Sequence, residues 1–378
     1  MKHREVLIVA SHFYPNFGGV ETHLDDLVRV LAKRGWKVVV ATYKPLARNI
    51  KAPFFEMSKN LKIYRMPWIG FNIVHRLTPY PVLEFLYLFP GLFIITAISL
   101  FLNLNIKVIH AQGLVPTVVS LIWGRILSKK VISSTHNLYF FPKYGLYTMF
   151  SKFIFSKVDV TLCLSKGSQL ELQKIGVSKK KLAPFRYWLN LGLFRIESKE
   201  VLKKELNLTN KFVAFFVGRI IETKGVKVIL EVAKKLPRVT FLFGGEGPLS
   251  ESVKKAASKN KNIIYLGYIS QGQVKKYMNT SDIVLVPSLV DEGYGRVAME
   301  AIACGTPVLA ARRGGLSEVV DSSVGILIEP TAKEYSKWLT YFSKSPSKLQ
   351  DLAKNTRTYA LKNFSEKNVK KIIDAYSK

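Results

Sequence analysis

The sequence predicts an α/β protein with two doubly wound parallel sheets in tandem, and three observations support this. Short continuous apolar runs alternate with helical patterns, which is typical of parallel strands that are covered on both faces. The chain has 378 residues, of which 48% are hydrophobic, so it can form two domains with a core each. Glycine-containing motifs follow several predicted strands, and open α/β sheets bind ligands at that end.

The first half of the chain begins with a strand and alternates from there. The predicted strands are Val6–Ala10, Lys37–Thr42, Val108–Ile109, Val131–Thr135 and Val158–Leu164. The predicted helices are Val20–Arg34, Leu114–Leu127 and Tyr144–Phe155. Residues 1–10 are too short and too charged for a cleaved signal peptide, so we interpret them as the first strand.

The second half repeats this alternation. Its predicted strands are Phe212–Val217, Thr240–Phe243, Ile263–Leu266, Ile283–Pro287, Val308–Ala310 and Gly325–Ile328. Its predicted helices are Gly225–Lys235, Leu249–Ser258, Val274–Asn279, Arg296–Cys304 and several turns after Thr331. The boundary is expected near residues 183–199. This gives a first domain over residues 1–185 and a second over 186–363, with a final helix, 364–378, that packs back on the first.

The charge of the chain is unusual, because the formal net charge is +31. The excess is spread along the chain, with +17 in residues 1–185 and +14 in residues 186–378. Such a balance indicates an anionic partner, which could be nucleic acid, an anionic lipid surface or a phosphorylated ligand. A general lysine bias would explain it equally well. The two cysteines, Cys163 and Cys304, lie far apart in apolar runs and fit a reducing cytoplasm.

Three glycine-containing motifs follow predicted strands. In residues 14–22, Gly18 and Gly19 open the first helix, whose N-terminus suits a phosphate. In residues 217–225, Arg219 and Lys224 could stabilise a pyrophosphate on which charge develops. In residues 244–248, Gly245 belongs to a turn where the backbone must approach another group closely. Each motif is weak alone, because a plain strand–turn–helix connection or solvated surface cations would also explain it.

The fourth motif, residues 291–307, is the most informative. Glu292 precedes a helix, and Glu300 lies about two turns inside it, between apolar neighbours. Glu300 therefore needs a ligand or a structural partner, since burial of an unpaired carboxylate is unfavourable by several kcal/mol. A ribose diol would suit it. The backbone N–H groups near Tyr294, Gly295 and Arg296 form a further anion site.

Taken together, these motifs resemble the retaining GT-B glycosyltransferases of family 4, also called glycosyl transferases group 1. The resemblance extends over nearly the whole chain. It rests on five matches in the family's order: Phe13-Tyr14-Pro15 with Gly18-Gly19-Val20-Glu21, Gly218-Arg219 with Lys224-Gly225, Glu292 with Glu300, Gly305-Thr306-Pro307, and Gly314-Gly315 with Glu318. It implies a GT-B fold of two Rossmann-like domains that face each other across a cleft, the first on the acceptor side and the second binding a nucleotide-sugar.

The resemblance also implies roles for individual residues. Arg219 and Lys224 would hold the donor diphosphate, Glu300 the nucleotide ribose and Glu292 hydroxyls of the transferred sugar. Gly18 and Gly19 would pass close to the diphosphate. Donor contacts would also include Gly245 and the segment Tyr294–Gly295–Arg296. His136, which follows a predicted strand, matches the family's active-site histidine. Without the resemblance, a lone histidine there would more readily be interpreted as a capping or packing residue.

The implied reaction moves a sugar from a UDP- or GDP-sugar to an acceptor with retention of anomeric configuration. The leaving phosphate would take the acceptor proton. The sequence contains no Asp-x-Asp pair and no clustered Cys/His ligands, so neither a metal nor a cofactor is expected. The chain departs from the family at Gln112, where a second histidine is frequent, at Arg312 and Arg313, and in the hinge segment 187–190.

The segment Phe85–Leu102 is almost wholly apolar and is interrupted by Pro90-Gly91. Its length would allow it to span a bilayer, but a span would split the first domain. Two interpretations remain, a fully buried helix pair or a surface that dips into lipid. Residues 143–157 interleave aromatic side chains with lysine, which favours the second. We therefore expect a cytoplasmic enzyme, peripheral on an anionic membrane surface, with a lipid or polyprenyl-linked glycan as acceptor.

Two other function classes remain open from sequence. A nucleotide-sugar epimerase of the same fold would bind a similar donor, but it would leave the apolar segment unexplained. A non-catalytic nucleic-acid-binding protein would account for the charge. However, the sequence has no zinc-finger spacing, no RNP-like run and no single basic helix, so no specific nucleic-acid partner is expected.

Overall fold

A computed structural model describes residues 4–16, 18–46, 50–70, 73–77, 79–136, 141–143 and 145–377. Phe17, Asn137 and Tyr144, which belong to the segments considered above, lie outside these ranges. The chain divides into two compact units. One contains residues 1–187 and 366–378, and the other contains residues 188–365.

Within the described residues, the first unit is built on an eight-stranded sheet with the order β3-β4-β2-β1-β5-β6-β7-β8. Its strands are β1 (Glu5–Ala10), β2 (Lys37–Tyr43), β3 (Phe55–Ser58), β4 (Leu61–Met66), β5 (Val108–Gln112), β6 (Lys130–Thr135), β7 (Val160–Cys163) and β8 (Leu182–Pro184). All neighbouring strands are parallel except the edge pair of β3 and β4, which is antiparallel. The central strand β1 is buried at every residue.

The helices of the first unit connect these strands and cover the sheet. They are α1 (Gly19–Lys33), α2 (Ile73–Leu77), α3 (Pro81–Phe101), α4 (Leu114–Ile126), α5 (Leu146–Lys157), α6 (Lys166–Lys174) and, after the second unit, α15 (Lys370–Ser377). Helix α15 is held to this unit by Tyr376. Its ring lies 5.2 Å from that of Trp36, and its hydroxyl lies 2.8 Å from His110 Nδ1.

The second unit has a six-stranded, wholly parallel sheet within the described residues, with the order β11-β10-β9-β12-β13-β14. Its strands are β9 (Phe212–Val217), β10 (Val239–Gly244), β11 (Ile263–Gly267), β12 (Ile283–Val286), β13 (Val308–Ala311) and β14 (Gly325–Ile328). Its helices are α7 (Lys199–Glu205), α8 (Val226–Lys235), α9 (Ser250–Lys259), α10 (Gln271–Thr280), α11 (Arg296–Ala303), α12 (Leu316–Val319), α13 (Ala332–Lys344) and α14 (Pro346–Asn363). Its core combines apolar side chains of the strands with those of α8, α9 and α13.

The strands β3, β4 and the short edge strand β8 are absent from the sequence-based prediction. Strand β3 is exposed along its whole length, so it has no apolar run. Strand β4 carries Lys62 and Arg65 between its apolar residues. Arg65 is nevertheless buried, because its Nη1 pairs with Glu56 of β3 at 2.8 Å and its Nη2 donates to the Tyr14 carbonyl at 3.1 Å.

The apolar segment of the first unit is one continuous helix, α3, so the alternative of a fully buried helix pair was wrong. Pro90 lies on the exposed side of α3, where water can satisfy the carbonyl group that loses its N–H partner. Gly91 lies on the buried side, and a Cβ there would be 2.6 Å from Tyr43 Cε1 and 2.7 Å from Trp68 Cε3. The helix is long and apolar enough to cross a membrane. Only 33% of its most apolar stretch is buried in the protein, whereas a core helix would be mostly buried.

Candidate active site

Close contacts between backbone segments bring together the loops at the carboxyl end of the second sheet. Gly225 has a φ of +72°, and a Cβ there would lie 2.0 Å from the Pro287 carbonyl oxygen. The Leu289 N–H donates to the Thr223 carbonyl at 2.9 Å. The loop after β9 therefore lies directly against the loop after β12, and this contact requires a glycine at position 225.

This contact joins two of the predicted site residues, which are 68 positions apart in the chain. Lys224 Nζ forms a short ion pair with Glu292 Oε1. Ser288 Oγ donates a short hydrogen bond to the same oxygen. Among the described residues, Glu292 Oε2 accepts no side-chain hydrogen bond, so it remains available to a hydroxyl group. Sequence reasoning missed Ser288, although a serine after a buried strand is a usable signal.

Arg219 lies on the same loop as Lys224 but is exposed. It forms no ion pair with any residue that the structure describes, so it offers an unneutralised cation at this end of the sheet. Gly314 and Gly315 lie against the Glu292–Gly293 backbone, where a Cβ would be 2.5 Å and 2.4 Å from the respective carbonyl oxygens. The Gly315 N–H donates to the Glu292 carbonyl at 2.8 Å, which fixes the loop that carries this carboxylate.

Helix α11 positions the second carboxylate. Gly295 precedes the helix with a φ of +86°, and Tyr294 before it is buried. Glu300 is 8% exposed, and its Oε1 accepts from Arg296 Nε at 2.9 Å, one helical turn earlier. The partner that the burial of Glu300 requires is therefore present within the helix. A ribose hydroxyl would bind to a carboxylate that is already oriented by an arginine.

The structure shows why position 245 requires a glycine, which the sequence did not reveal. Its φ is +122°, and a Cβ there would lie 1.9 Å from the Gly218 carbonyl oxygen. The Gly218 N–H donates to the Gly244 carbonyl at 3.0 Å, and the Ile220 N–H donates to the Glu246 carbonyl at 2.8 Å. The close approach that the glycine turn predicted is made to the loop that carries Arg219.

His136 follows β6 in the first unit and is buried in a polar network. Its Nε2 donates to Gln112 Oε1 at 2.7 Å, and its Nδ1 accepts from the Tyr187 hydroxyl at 2.8 Å. The ring of His23 from α1 stacks on Tyr187 with a centroid distance of 3.9 Å. Burial lowers the pKa of His136 to about 3, so the ring is neutral near pH 7.

A second buried histidine lies one strand away from His136. His110 Nδ1 and Nε2 lie 2.8 Å and 2.7 Å from the hydroxyl groups of Tyr376 and Ser134. Burial, and secondly the neighbouring His136, lower its pKa to about 3. Sequence reasoning recognised neither Tyr187 nor Tyr376 as a partner, because pairs separated by 51 and 266 positions leave no local pattern.

Gly18 and Gly19 lie at the start of α1 in the same unit. Among the described residues, a Cβ on Gly18 would meet only the flexible carboxylate of Glu21, at 2.3 Å, and a Cβ on Gly19 would meet nothing within 4 Å. Unlike Gly225 and Gly245, these glycines are therefore not required by packing against another backbone segment. The space beside Gly19 is consistent with a predicted ligand contact.

Comparisons with known families decide the class of the protein. Residues 17–184 match "Glycosyltransferase Family 4", and residues 198–359 match "Glycosyl transferases group 1". The chain belongs to glycosyltransferase family 4. It is a glycosyltransferase, and the alternatives of an epimerase and of a nucleic-acid-binding protein find no support in these matches.

Individual relatives agree with the family. A phosphatidylinositol N-acetylglucosaminyltransferase subunit from Arabidopsis thaliana is 29% identical over 337 residues, which cover 86% of this chain and 71% of that protein. Sucrose-phosphate synthase from Thermosynechococcus elongatus superposes with a TM-score of 0.84 at 21% identity, over 99% of this chain and 98% of that chain. HepE of Anabaena, in complex with UDP-glucose, superposes with a TM-score of 0.77 at 18% identity, over 99% of each chain. The predicted GT-B fold is confirmed.

Proposed function

We propose that this glycosyltransferase moves a sugar from a nucleotide-diphosphate-sugar to a lipid-linked acceptor at a membrane surface, with retention of anomeric configuration. The observation that carries the proposal is the grouping of Arg219, the Lys224–Glu292 pair and the Arg296–Glu300 pair at one end of the second sheet. Two cations suit a diphosphate, and two oriented carboxylates suit sugar and ribose hydroxyls.

In the proposed reaction, the acceptor hydroxyl attacks the anomeric carbon on the face from which the diphosphate leaves. The bond from the anomeric carbon to the diphosphate oxygen breaks, and the hydroxyl proton passes to that leaving oxygen. Arg219 and Lys224 stabilise the charge that develops on the diphosphate, which is the contribution of electrostatic preorganisation. The mechanism needs no protein base. This agrees with the lowered pKa of His136, whose two ring nitrogens already have hydrogen-bond partners.

The donor and acceptor follow from the names of the relatives together with the chain's own charge. UDP-glucose is bound in a structural neighbour, and the Arabidopsis relative is named for transfer of N-acetylglucosamine to phosphatidylinositol. UDP-N-acetylglucosamine is therefore the first donor to test, and GDP-mannose tests a donor with guanine as its base. A lipid acceptor fits the exposed side of α3 and the net charge of +31. We propose a cytoplasmic, peripheral enzyme that requires neither metal nor cofactor.

Isothermal titration of UDP, UDP-N-acetylglucosamine, UDP-glucose and GDP-mannose without metal tests the donor site. We expect one nucleotide to bind wild type and to bind Glu300→Gln at least about tenfold more weakly, because an oriented charged acceptor is lost. Glu231→Gln is the matched control, since Glu231 forms an exposed pair with Lys235 at the same helical spacing. Absence of binding to folded wild type, or equal binding by both variants, would reject the site.

A transfer assay with the selected donor tests the reaction itself. Phosphatidylinositol and a polyprenyl phosphate would be offered as acceptors in detergent micelles. The coupling constant of the anomeric proton in the product then reports its configuration. An inverted product would contradict the proposed mechanism, and release of free sugar with every acceptor would contradict the proposed acceptor class.

A further inference from the structure

The first unit exposes apolar side chains along the outer faces of two helices, which we call the α3–α5 surface. These side chains are between 39% and 85% exposed. They are Val82, Leu83, Leu86, Ile94 and Phe101 on α3, and Leu146, Met149, Phe150 and Phe153 on α5. Apart from the adjacent pairs Val82-Leu83 and Met149-Phe150, successive members are three, seven or eight residues apart, so on each helix they form a stripe on one face. Contiguous exposed apolar surface of this kind marks an interaction site.

A chain of half-exposed aromatic rings makes the two stripes one surface. Phe150 of α5 meets Phe85 of α3 edge to face, with a centroid distance of 6.0 Å. Successive rings along α3 follow at 5.4 Å from Phe85 to Phe89 and at 5.6 Å from Phe89 to Phe93. Trp123 of α4 continues the row, 4.9 Å from Phe93 and 5.8 Å from Phe101. Phe and Trp are typical of the apolar face of helices that lie in a membrane interface.

The segment of the chain that contains α3 and α5 is almost entirely positive in charge. Residues 57–158 contain eleven Lys/Arg and one acidic residue, Glu84. Lys152 and Lys157 on α5 are exposed, and Lys157 Nζ lies 5.4 Å from the centre of the Phe153 ring within the surface. Glu84 is only partly exposed, and burial raises the pKa of its carboxyl group. A lysine near an anionic membrane contributes about 1 kcal/mol of attraction.

The opposite side of α3 packs against the rest of the first unit. Leu92 and Ile95 are fully buried. The Tyr43 hydroxyl donates a short hydrogen bond to the Leu88 carbonyl, and Trp68 Nε1 donates to the Tyr87 carbonyl at 3.0 Å. A helix that crossed a bilayer would have to separate from this side of the sheet. Its one-sided exposure instead suits a helix that lies in the plane of the interface.

We propose that the α3–α5 surface seats the first unit on an anionic membrane, with α3 lying flat at the head-group level and not crossing the bilayer. This rests on the proposed function and identifies the surface that would meet the membrane. Both helices begin at the carboxyl end of the first sheet, because α3 follows β4 and α5 follows β6. Gln112 and His136 lie at the same end. A lipid acceptor in that membrane would present its head group beside these residues.

Vesicle flotation of the full chain tests the surface. The probes are phosphatidylcholine vesicles with and without phosphatidylglycerol. The variant carries Leu146→Ser, Met149→Ser and Phe153→Ser, whose side chains are 85%, 67% and 53% exposed and so are dispensable for folding. The control carries Val201→Ser, Tyr341→Ser and Leu361→Ser in the second unit, at 56%, 43% and 53% exposure. We expect the first variant to bind anionic vesicles about a hundredfold more weakly and the control to bind like wild type.

The orientation of α3 needs a second measurement. Both native cysteines are buried, so a fluorophore attached to Leu86→Cys or to Ile94→Cys labels one place. Lipids brominated at different depths should quench the two labels alike and at a shallow depth. Quenching of the Ile94→Cys label near the bilayer centre, with the Leu86→Cys label shallower, would show a crossing helix and overturn the flat orientation.

Other outcomes separate this inference from the proposed function. Nucleotide-sugar binding without any vesicle binding would overturn the surface and leave the donor site intact. Vesicle binding without nucleotide binding would overturn the donor site and support the surface. A wild-type dimer that becomes monomeric in the triple variant, with vesicle binding unchanged, would mean that the surface joins two copies of the chain and would also overturn the inference.

Discussion

The carboxyl ends of the two sheets carry opposite kinds of polar chemistry. In the first unit, His136, Gln112 and Tyr187 form a buried network of neutral groups, in which the pKa of the histidine is lowered to about 3. In the second unit, Lys224–Glu292 and Arg296–Glu300 are ion pairs with partial access to solvent. Groups that remain neutral suit the hydroxyls of a sugar or acceptor, whereas fixed cations suit a leaving diphosphate. From this difference we infer that the second unit stabilises the negative charge that develops on the diphosphate in the proposed reaction.

The two ends also differ in how glycine is used. In the second unit, Gly225 and Gly245 have positive φ and lie against backbone carbonyl oxygens. In the first unit, a Cβ on Gly19 at the start of α1 would meet none of the described residues within 4 Å. Glycines of the second unit therefore hold loops together, while the glycine of the first unit leaves room. Stability and ligand binding should respond differently when each is changed.

Removal of the Lys224 charge should have the largest effect. Lys224→Ala is expected to lower kcat by about 10²–10³, because one preorganised cation no longer stabilises the leaving diphosphate. The measurement is steady-state transfer at saturating donor. Lys227→Ala is the matched control, since Lys227 is an exposed, paired lysine on the next helix. Similar rates for the two variants would remove the basis for assigning the charge of the reaction to the second unit.

The glycine comparison predicts a split between stability and binding. Gly245→Ala should lower the free energy of unfolding by about 2 kcal/mol or more, because the residue combines a positive φ with a blocked Cβ position. Gly19→Ala should stay within about 1 kcal/mol of wild type and should change donor affinity instead. Thermal unfolding and nucleotide titration of both variants check this. Equal destabilisation by the two substitutions would contradict the difference in glycine use between the two units.

The sequence predicted the layers of the fold better than the contacts of the site. The strand at Phe212–Val217 was predicted with its observed bounds, because a buried parallel strand is a continuous apolar run. The edge strand β3 and its neighbour β4 were not predicted, since the exposure of β3 and the paired, buried arginine of β4 remove that signal. Local motifs identified Lys224 and Glu292 as site residues. Their contact could not be predicted, because it depends on Gly225 lying against Pro287, a contact between distant parts of the chain.

The neutral network predicts that the first unit loses stability in acid. His110 and His136 have folded pKa values of about 3 against a reference value of 6.5. Between those pH values the unfolded chain binds protons that the folded chain does not, so stability falls as pH decreases through this window. Each histidine should contribute about 1.4 kcal/mol per pH unit.

Urea unfolding at several pH values from 6.5 downward measures this slope. His110→Gln should reduce the pH dependence by the contribution of one histidine, even if the variant is less stable overall. Thr117→Val is the control, because it removes a buried hydroxyl that lies 2.7 Å from Ser133 Oγ but does not titrate. It should lower stability equally at every pH. A slope unchanged in His110→Gln would mean that this histidine is protonated in the folded protein.

Metal removal should have the smallest effect and tests whether cations of the protein suffice. Among the described residues, no group of three His, Cys, Asp or Glu side chains is placed to hold a metal ion. Arg219 and Lys224 would then carry the positive charge that a divalent ion supplies elsewhere. Transfer rates after treatment with EDTA, and after addition of Mg²⁺ or Mn²⁺, should agree within error. A rate that falls with EDTA and recovers with one ion would show that the two cations do not suffice, and the loss in Lys224→Ala would then need to be measured again with the metal present.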